Sequence, residues 1–171
     1  MKNSLENSPR KESDRSVLST EDQEIFESLV KVKAEELIKE KARKYVGKTR
    51  FSKGPDLYGY QPYEQPKIID LIANNKGYAS FIIKETIDYG SPVDIATPQE
   101  RFEVYIIKHG DKNPVHIFED HAYVVPPEHP AYSRISKDDR YYGNPAITNL
   151  VLRDNVVEYS SRDGNSAYEI N

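Results

Sequence analysis

Between positions 19 and 47 the apolar residues fall along one stripe: Ile25/Phe26, Leu29/Val30, Leu37/Ile38 and Tyr45/Val46, with Ala34 and Ala42 between them. A repeat of three to four residues with a polar reverse face predicts an amphipathic helix. Thr20 and Gln23 have the spacing of a capping box, and Gly47 supplies a stop. Glu27/Lys31, Glu35/Lys39 and Glu40/Lys44 are i,i+4 pairs in the favourable order. At 1.5 Å per residue such a helix would run about 40 Å, enough to lie across a whole sheet.

The segment 66–77, PKIIDLIANNKG, spaces Ile68/Ile69 and Leu71/Ile72 at helical intervals, with Pro66 at a first helical position and Asn75–Gly77 as an ending. It predicts a second, short helix. From Gly77 onward the period changes to two. YASFIIKETIDYG (78–90), RFEVYIIKHG (101–110) and NPVHIFEDHAYVV (113–125) read as strands, the last two joined by a turn at Gly110–Lys112. AITNLVL (146–152) and VVEYSS (156–161) read as a further hairpin around Arg153–Asn155. Residues 48–66 and 126–145, rich in Pro and Tyr, read as loops.

A helix and a helical turn followed by consecutive strands predict an α+β fold. In it a long N-terminal helix packs on an antiparallel sheet of about five strands, as a meander or roll. Residues 1–19 are too poor in aliphatics to offset their ordering entropy and read as a disordered polar tail. Residues 20–161 read as a single α+β domain, and 162–171 as a frayed C-terminal tail. The layout resembles cystatin-like and NTF2-like folds in architecture alone, which implies nothing about function.

Composition narrows the chemistry. Of 171 residues 37% are hydrophobic, and no apolar run approaches the ~20 needed to cross a bilayer. The polar start, MKNSLENSPRKES, lacks the apolar core of a secretory signal, so a cytoplasmic protein is expected. The absence of cysteine removes disulfides, iron–sulfur clusters and thiol nucleophiles. A net charge of −4 weighs against nucleic acid as a partner. There is no phosphate-binding Gly loop, nucleophile elbow, zincin or EF-hand pattern, so no cofactor is expected and an enzyme is disfavoured.

The densest cluster of reactive side chains is HIFEDH, 116–121. If Gly110 faces Asn113 across the turn, Ile107 lies opposite His116 and Phe102 opposite His121. Strand parity then places Phe102, Val104, Ile106, Val115, Ile117, Glu119, His121 and Tyr123 on one face, the expected core side. Glu103, Tyr105, Ile107, His109, His116, Phe118 and Asp120 fall on the other. His116 and His121, five apart, would point to opposite faces unless a bulge intervenes. His109 and His116 would be diagonal neighbours. A zinc set would need a third ligand from another segment, because Asp120 is about 13 Å along the strand from His116. His109 or His116 with Glu103 or Tyr105 could instead form an acid–base pair. Glu119 and His121 are expected at a wet rim of the core face. No metal site is expected from this pattern, and His109, His116, Glu119 and His121 stand as weak catalytic candidates.

Many of the 13 tyrosines occupy loops. Tyr58, Tyr60 and Tyr63, with Lys137, Arg140, Tyr141 and Tyr142, combine rigid aromatic area with charge, which suits contact with another protein. The expectation is a small binding protein of the accessory, inhibitor or immunity type, as found in bacteria and phage. The alternative is a small enzyme or ligand-binding roll, nuclease- or lyase-like, that uses the His-bearing hairpin.

Overall fold

A computed structural model of the chain describes residues 17–43, 66–88, 98–123, 133 and 146–171. Among the described residues are one helix and seven strands: α1 (Thr20–Arg43), β1 (Lys67–Ala73), β2 (Tyr78–Asp88), β3 (Pro98–Lys108), β4 (Val115–Tyr123), β5 (Thr148–Arg153), β6 (Val156–Ser161) and β7 (Gly164–Glu169). The strands form two antiparallel meanders, β1-β2-β3-β4 and β5-β6-β7. The α+β class with antiparallel pairing holds, while the single five-stranded sheet gives way to two sheets.

Helix α1 starts where its backbone donors are satisfied. The cap is Ser19 rather than Thr20: its hydroxyl accepts the Asp22 N–H at 3.1 Å and donates to Asp22 Oδ2 at 2.7 Å. Glu21 and Asp22 in the first turn and Lys41 and Arg43 in the last complement the helix dipole. Gly47 lies outside the described residues. The doublets Ile25/Phe26 and Leu29/Val30 are split by packing. Phe26, Val30 and Ala34 are buried with Leu37 and Ile38 partly so, whereas Ile25 and Leu29 stay exposed.

The four-stranded sheet has cores on both faces. On one, Phe26, Val30 and Ala34 of α1 pack against Ala79, Phe81, Ile83, Tyr105 and Ile107. On the other, Ile82, Phe102, Val104 and Ile106 pack against Ile147, Leu150, Val157, Tyr159 and Ile170 of the second sheet region. The layers therefore run helix, sheet, sheet. The face expected to be outer, which carries Glu103, Tyr105 and Ile107, is the one under the helix.

Within segment 66–77, Lys67–Ala73 form β1 and residues 74–77 the turn to β2, not a helix. Ile68 faces Ile83 and Asp70 faces Ile82, so Ile69 is an extra residue in a β-bulge. The bulge shifts parity partway along the strand. Ile68 and Leu71 consequently reach the helix side together while Ile72 joins the opposite core. Three- and four-residue apolar spacing thus arises from an extended chain. Residues 164–169, expected to fray, form β7, paired with β6 from Val156↔Glu169 to Ser161↔Gly164. Ile170 is buried beyond it, its N–H donating to Asn155 O at 2.7 Å.

Polar staples join the layers. The Leu18 N–H donates to Asn75 O, and Asn74 Nδ2 donates to Asp154 O, each at 2.7 Å. Arg162, at the β6–β7 turn, grips Asp120 of β4 with Nη2 at 2.7 Å and Nε at 3.2 Å, and also donates to His121 O at 2.6 Å. No helix among the described residues is long and apolar enough to cross a membrane.

Candidate functional site

A second β-bulge decides the geometry of HIFEDH. Val104 faces Phe118 but Tyr105 faces His116, which leaves Ile117 as the extra residue. Parity inverts at that point. His116, Glu119 and His121 all lie on the helix side, opposite Tyr105, Glu103 and Arg101 respectively. Phe118 and Asp120 fall on the side of the second sheet, where Phe118 packs at 5.0 Å from the Tyr159 ring. The expected placement of Glu119 and His121 at the rim of the Phe102 face is therefore overturned, as is the separation of His116 from both. In a regular strand the odd spacing from His116 to His121 would have kept them apart.

The inverted strand brings Glu103, His116 and Glu119 together. One ligand atom from each lies within 4.8 Å of the others. The His116 ring also rests 5.2 Å from that of Tyr105, which stacks on Phe81 at 5.3 Å with an interplanar angle of 10°. Beneath this trio is a buried charge network. Lys41, on the last turn of α1, pairs with Glu103 and reaches Glu85 Oε1 at 3.3 Å. Arg101 Nε donates to the same Glu85 oxygen at 2.8 Å and lies 3.8 Å from Glu103 Oε1. Glu85 is 1% exposed, and Lys41 and Glu103 are 6% exposed. Glu103 Oε2 takes no hydrogen bond of regular geometry; the Lys41 ammonium compensates it as an ion pair.

These surroundings set the protonation states. Burial pushes the Lys41 ammonium down, but the carboxylates of Glu103 and Glu85 together hold it above the ordinary lysine value. Burial and then the Glu103 carboxylate push the Tyr105 phenol up, against the opposing pull of Lys41. Lys41 is thus a fixed cation rather than an amine base, and Tyr105 a neutral phenol rather than a phenolate. The chemistry open to the trio is to hold a cation or to pass a proton.

The other sequence candidates disperse. His109 follows β3, about 13 Å along the chain from Tyr105. Its ring meets Phe26 edge-on at 5.7 Å, and its N–H donates to Gly77 O at 2.7 Å. It joins the β1–β2 turn to the helix and takes no part in the trio. Asp120 belongs to the Arg162 clamp. Tyr58, Tyr60, Tyr63, Lys137, Arg140, Tyr141 and Tyr142 lie outside the described residues. Among the described residues, three open clefts border the second sheet, and these three are lined by residues other than His109, His116, Glu119 and His121.

Lys41, Glu85 and Arg101 escaped the reading of the sequence, yet a signal was present. Lys41 continues the buried helical row Phe26–Val30–Ala34, and Glu85 continues the inward alternation Phe81–Ile83. A charge in line with core positions, on two elements at once, marks a buried ion pair.

The outer face of α1 offers a second candidate surface. Ile25, Leu29 and Val32 are 60%, 40% and 49% exposed. At i, i+4 and i+7 they form one stripe on a different face from Phe26–Val30–Ala34. Their helical neighbours are Glu21, Asp22, Ser28, Lys33, Glu35 and Glu36, and Lys33 is bound to Glu36 at 3.0 Å. Four carboxylates against one ammonium give the apolar stripe an acidic border.

Comparison with protein-family models, with curated proteins and with solved structures finds no match to this chain.

Proposed function

We propose that the chain acts by binding another protein, as an accessory, inhibitor or immunity-type factor, and that the outer face of α1 is its contact surface. One observation carries this reading: the exposed stripe Ile25–Leu29–Val32 on a helix whose other face is already buried. Single exposed aliphatics are ordinary, but three in one helical row present the i, i+4, i+7 anchors used in helix-mediated recognition. The acidic border specifies the occupant as a segment whose apolar residues are flanked by Lys and Arg. A second copy of the same face would set carboxylates against carboxylates.

A photoreactive residue placed at Leu29 or Val32 of the full chain tests this in the cells that make it. The expected result is a discrete adduct whose linked peptide is apolar and basic, lost when Ile25→Glu is introduced. An adduct of the chain with itself, equal labelling from a control position at Lys112, or no adduct refutes the reading.

The alternative, a small enzyme or ligand-binding protein built on the β3–β4 hairpin, draws support from the convergence of Glu103, His116 and Glu119.

A further inference from the structure

Glu103 and Glu119 face each other directly across β3 and β4. Like charges in that relation repel and destabilise a sheet. Lys41 compensates Glu103, whereas no ion pair reaches Glu119 among the described residues. The Ile117 bulge adds the His116 imidazole to this face, and its only described contact is with the Tyr105 ring. A repulsive carboxylate pair and an adjacent imidazole call for one more cation between the two strands.

We propose that Glu103, His116 and Glu119 bind a divalent cation of the zinc class. This rests on the β3–β4 geometry and is independent of the α1 surface. Ligand atoms ~2.1 Å from a tetrahedral zinc ion stand ~3.4 Å apart. The trio lies within 4.8 Å, so His116 and Glu119, both exposed, would draw inward by about an ångström to close on the ion. Glu103 is held from behind by Lys41, as ligating carboxylates are commonly held by an outer partner that fixes their orientation. The imidazole selects the metal class. Zinc takes nitrogen with carboxylate oxygen, whereas calcium and magnesium take oxygen alone. Three protein ligands leave a coordination position for water. The ion would also cross-link edge strand β4 to β3 at the bulge.

The test is calorimetric titration of the metal-stripped full chain with Zn²⁺, with Ca²⁺ and Mg²⁺ as comparisons. One saturable Zn²⁺ per chain is expected, weakened at least about tenfold by His116→Ala and by Glu119→Gln and unchanged by His109→Ala. In the unaltered chain, nuclear magnetic resonance should show Zn²⁺ shifting the His116 imidazole signals and leaving those of His109 in place. This second readout is independent of whether the variants fold. No saturable binding, equal binding by the variants, equal affinity for Ca²⁺, or undisturbed His116 signals would each overturn the site.

Discussion

Replacing Lys41 with Met removes the cation that compensates Glu103 and one that reaches Glu85, while keeping roughly the length of the side chain. Both carboxylates are almost wholly buried, at 6% and 1% exposure, so solvent cannot take over. Breaking a buried ion pair from one side costs about 3–5 kcal/mol. Arg101 still binds Glu85 at 2.8 Å and lies 3.8 Å from Glu103, which puts the expected loss at the lower end, ~3 kcal/mol. For a chain of this size that is a fall in melting temperature of roughly 6–12 °C. Urea denaturation followed by circular dichroism measures it, with the denaturant slope checking that the transition is unchanged in kind. The double variant Lys41→Met/Glu103→Leu then discriminates. Removing both partners of a buried pair is often neutral or stabilising, so the double variant should recover most of the loss. A Lys41→Met loss under about 1 kcal/mol, the worth of an exposed pair, would refute the view that this network is sealed from water.

Gly77 has φ = +79°, and a Cβ there would stand 2.8 Å from the Cβ of His109. Gly77→Ala should therefore cost at least about 1–2 kcal/mol in urea titrations, and a neutral result would deny the close approach of the β1–β2 turn to His109. Arg162→Ala removes a two-pronged ion pair and a bond to His121 O, which predicts a loss of about 1.5–3 kcal/mol and faster amide exchange in β4 and the β6–β7 turn. Exchange unchanged at Asp120 and His121 would show that the clamp is idle. In alkali, Lys41 contributes stability that is fully present below the ordinary lysine value of 10.5 and is lost as pH rises through its higher folded value. Burial raises the phenol of Tyr159, though a bond to Ser166 opposes this, so the folded state favours the proton and stability again falls as pH climbs past 10.0. Urea midpoints should hold to about pH 10 and decline above it, less steeply in Tyr159→Phe; a flat profile to pH 11 contradicts both assignments.

What the sequence revealed and what it hid have one physical boundary. The helix and the strands around 78–88, 101–108, 115–123, 148–152 and 156–161 were legible because burial imposes a period on them. The misreadings at β1 and β4 both come from bulges. One extra residue, Ile69 or Ile117, reverses which side chains face inward, and nothing in the local composition announces it. For β1 this turned an extended chain into apparent helical spacing. In β4 it hid the convergence of His116 and Glu119 with Glu103. Strand β7, GNSAYE, was invisible for a different reason: only Ser166 in it is even partly shielded, so its pairing with β6 leaves no apolar mark. The candidate trio was legible residue by residue but not as a set.

The sandwiched sheet has a consequence for how its strands find their partners. Positions 79–83 and 102–107 are buried without interruption, whichever face they point to. Apart from Ser80 and Glu103, sliding β2 past β3 by one residue would exchange one buried apolar side chain for another, so oiliness alone is nearly indifferent to alignment. The charged ends are not indifferent. Glu85 stands directly opposite Arg101, Lys84 reaches diagonally to Glu100, and Lys41 closes on Glu103 from the helix. A slip would strand these groups in the interior. The ion pairs thus act as an alignment key: their net contribution to stability can be small while their penalty for every wrong pairing is large.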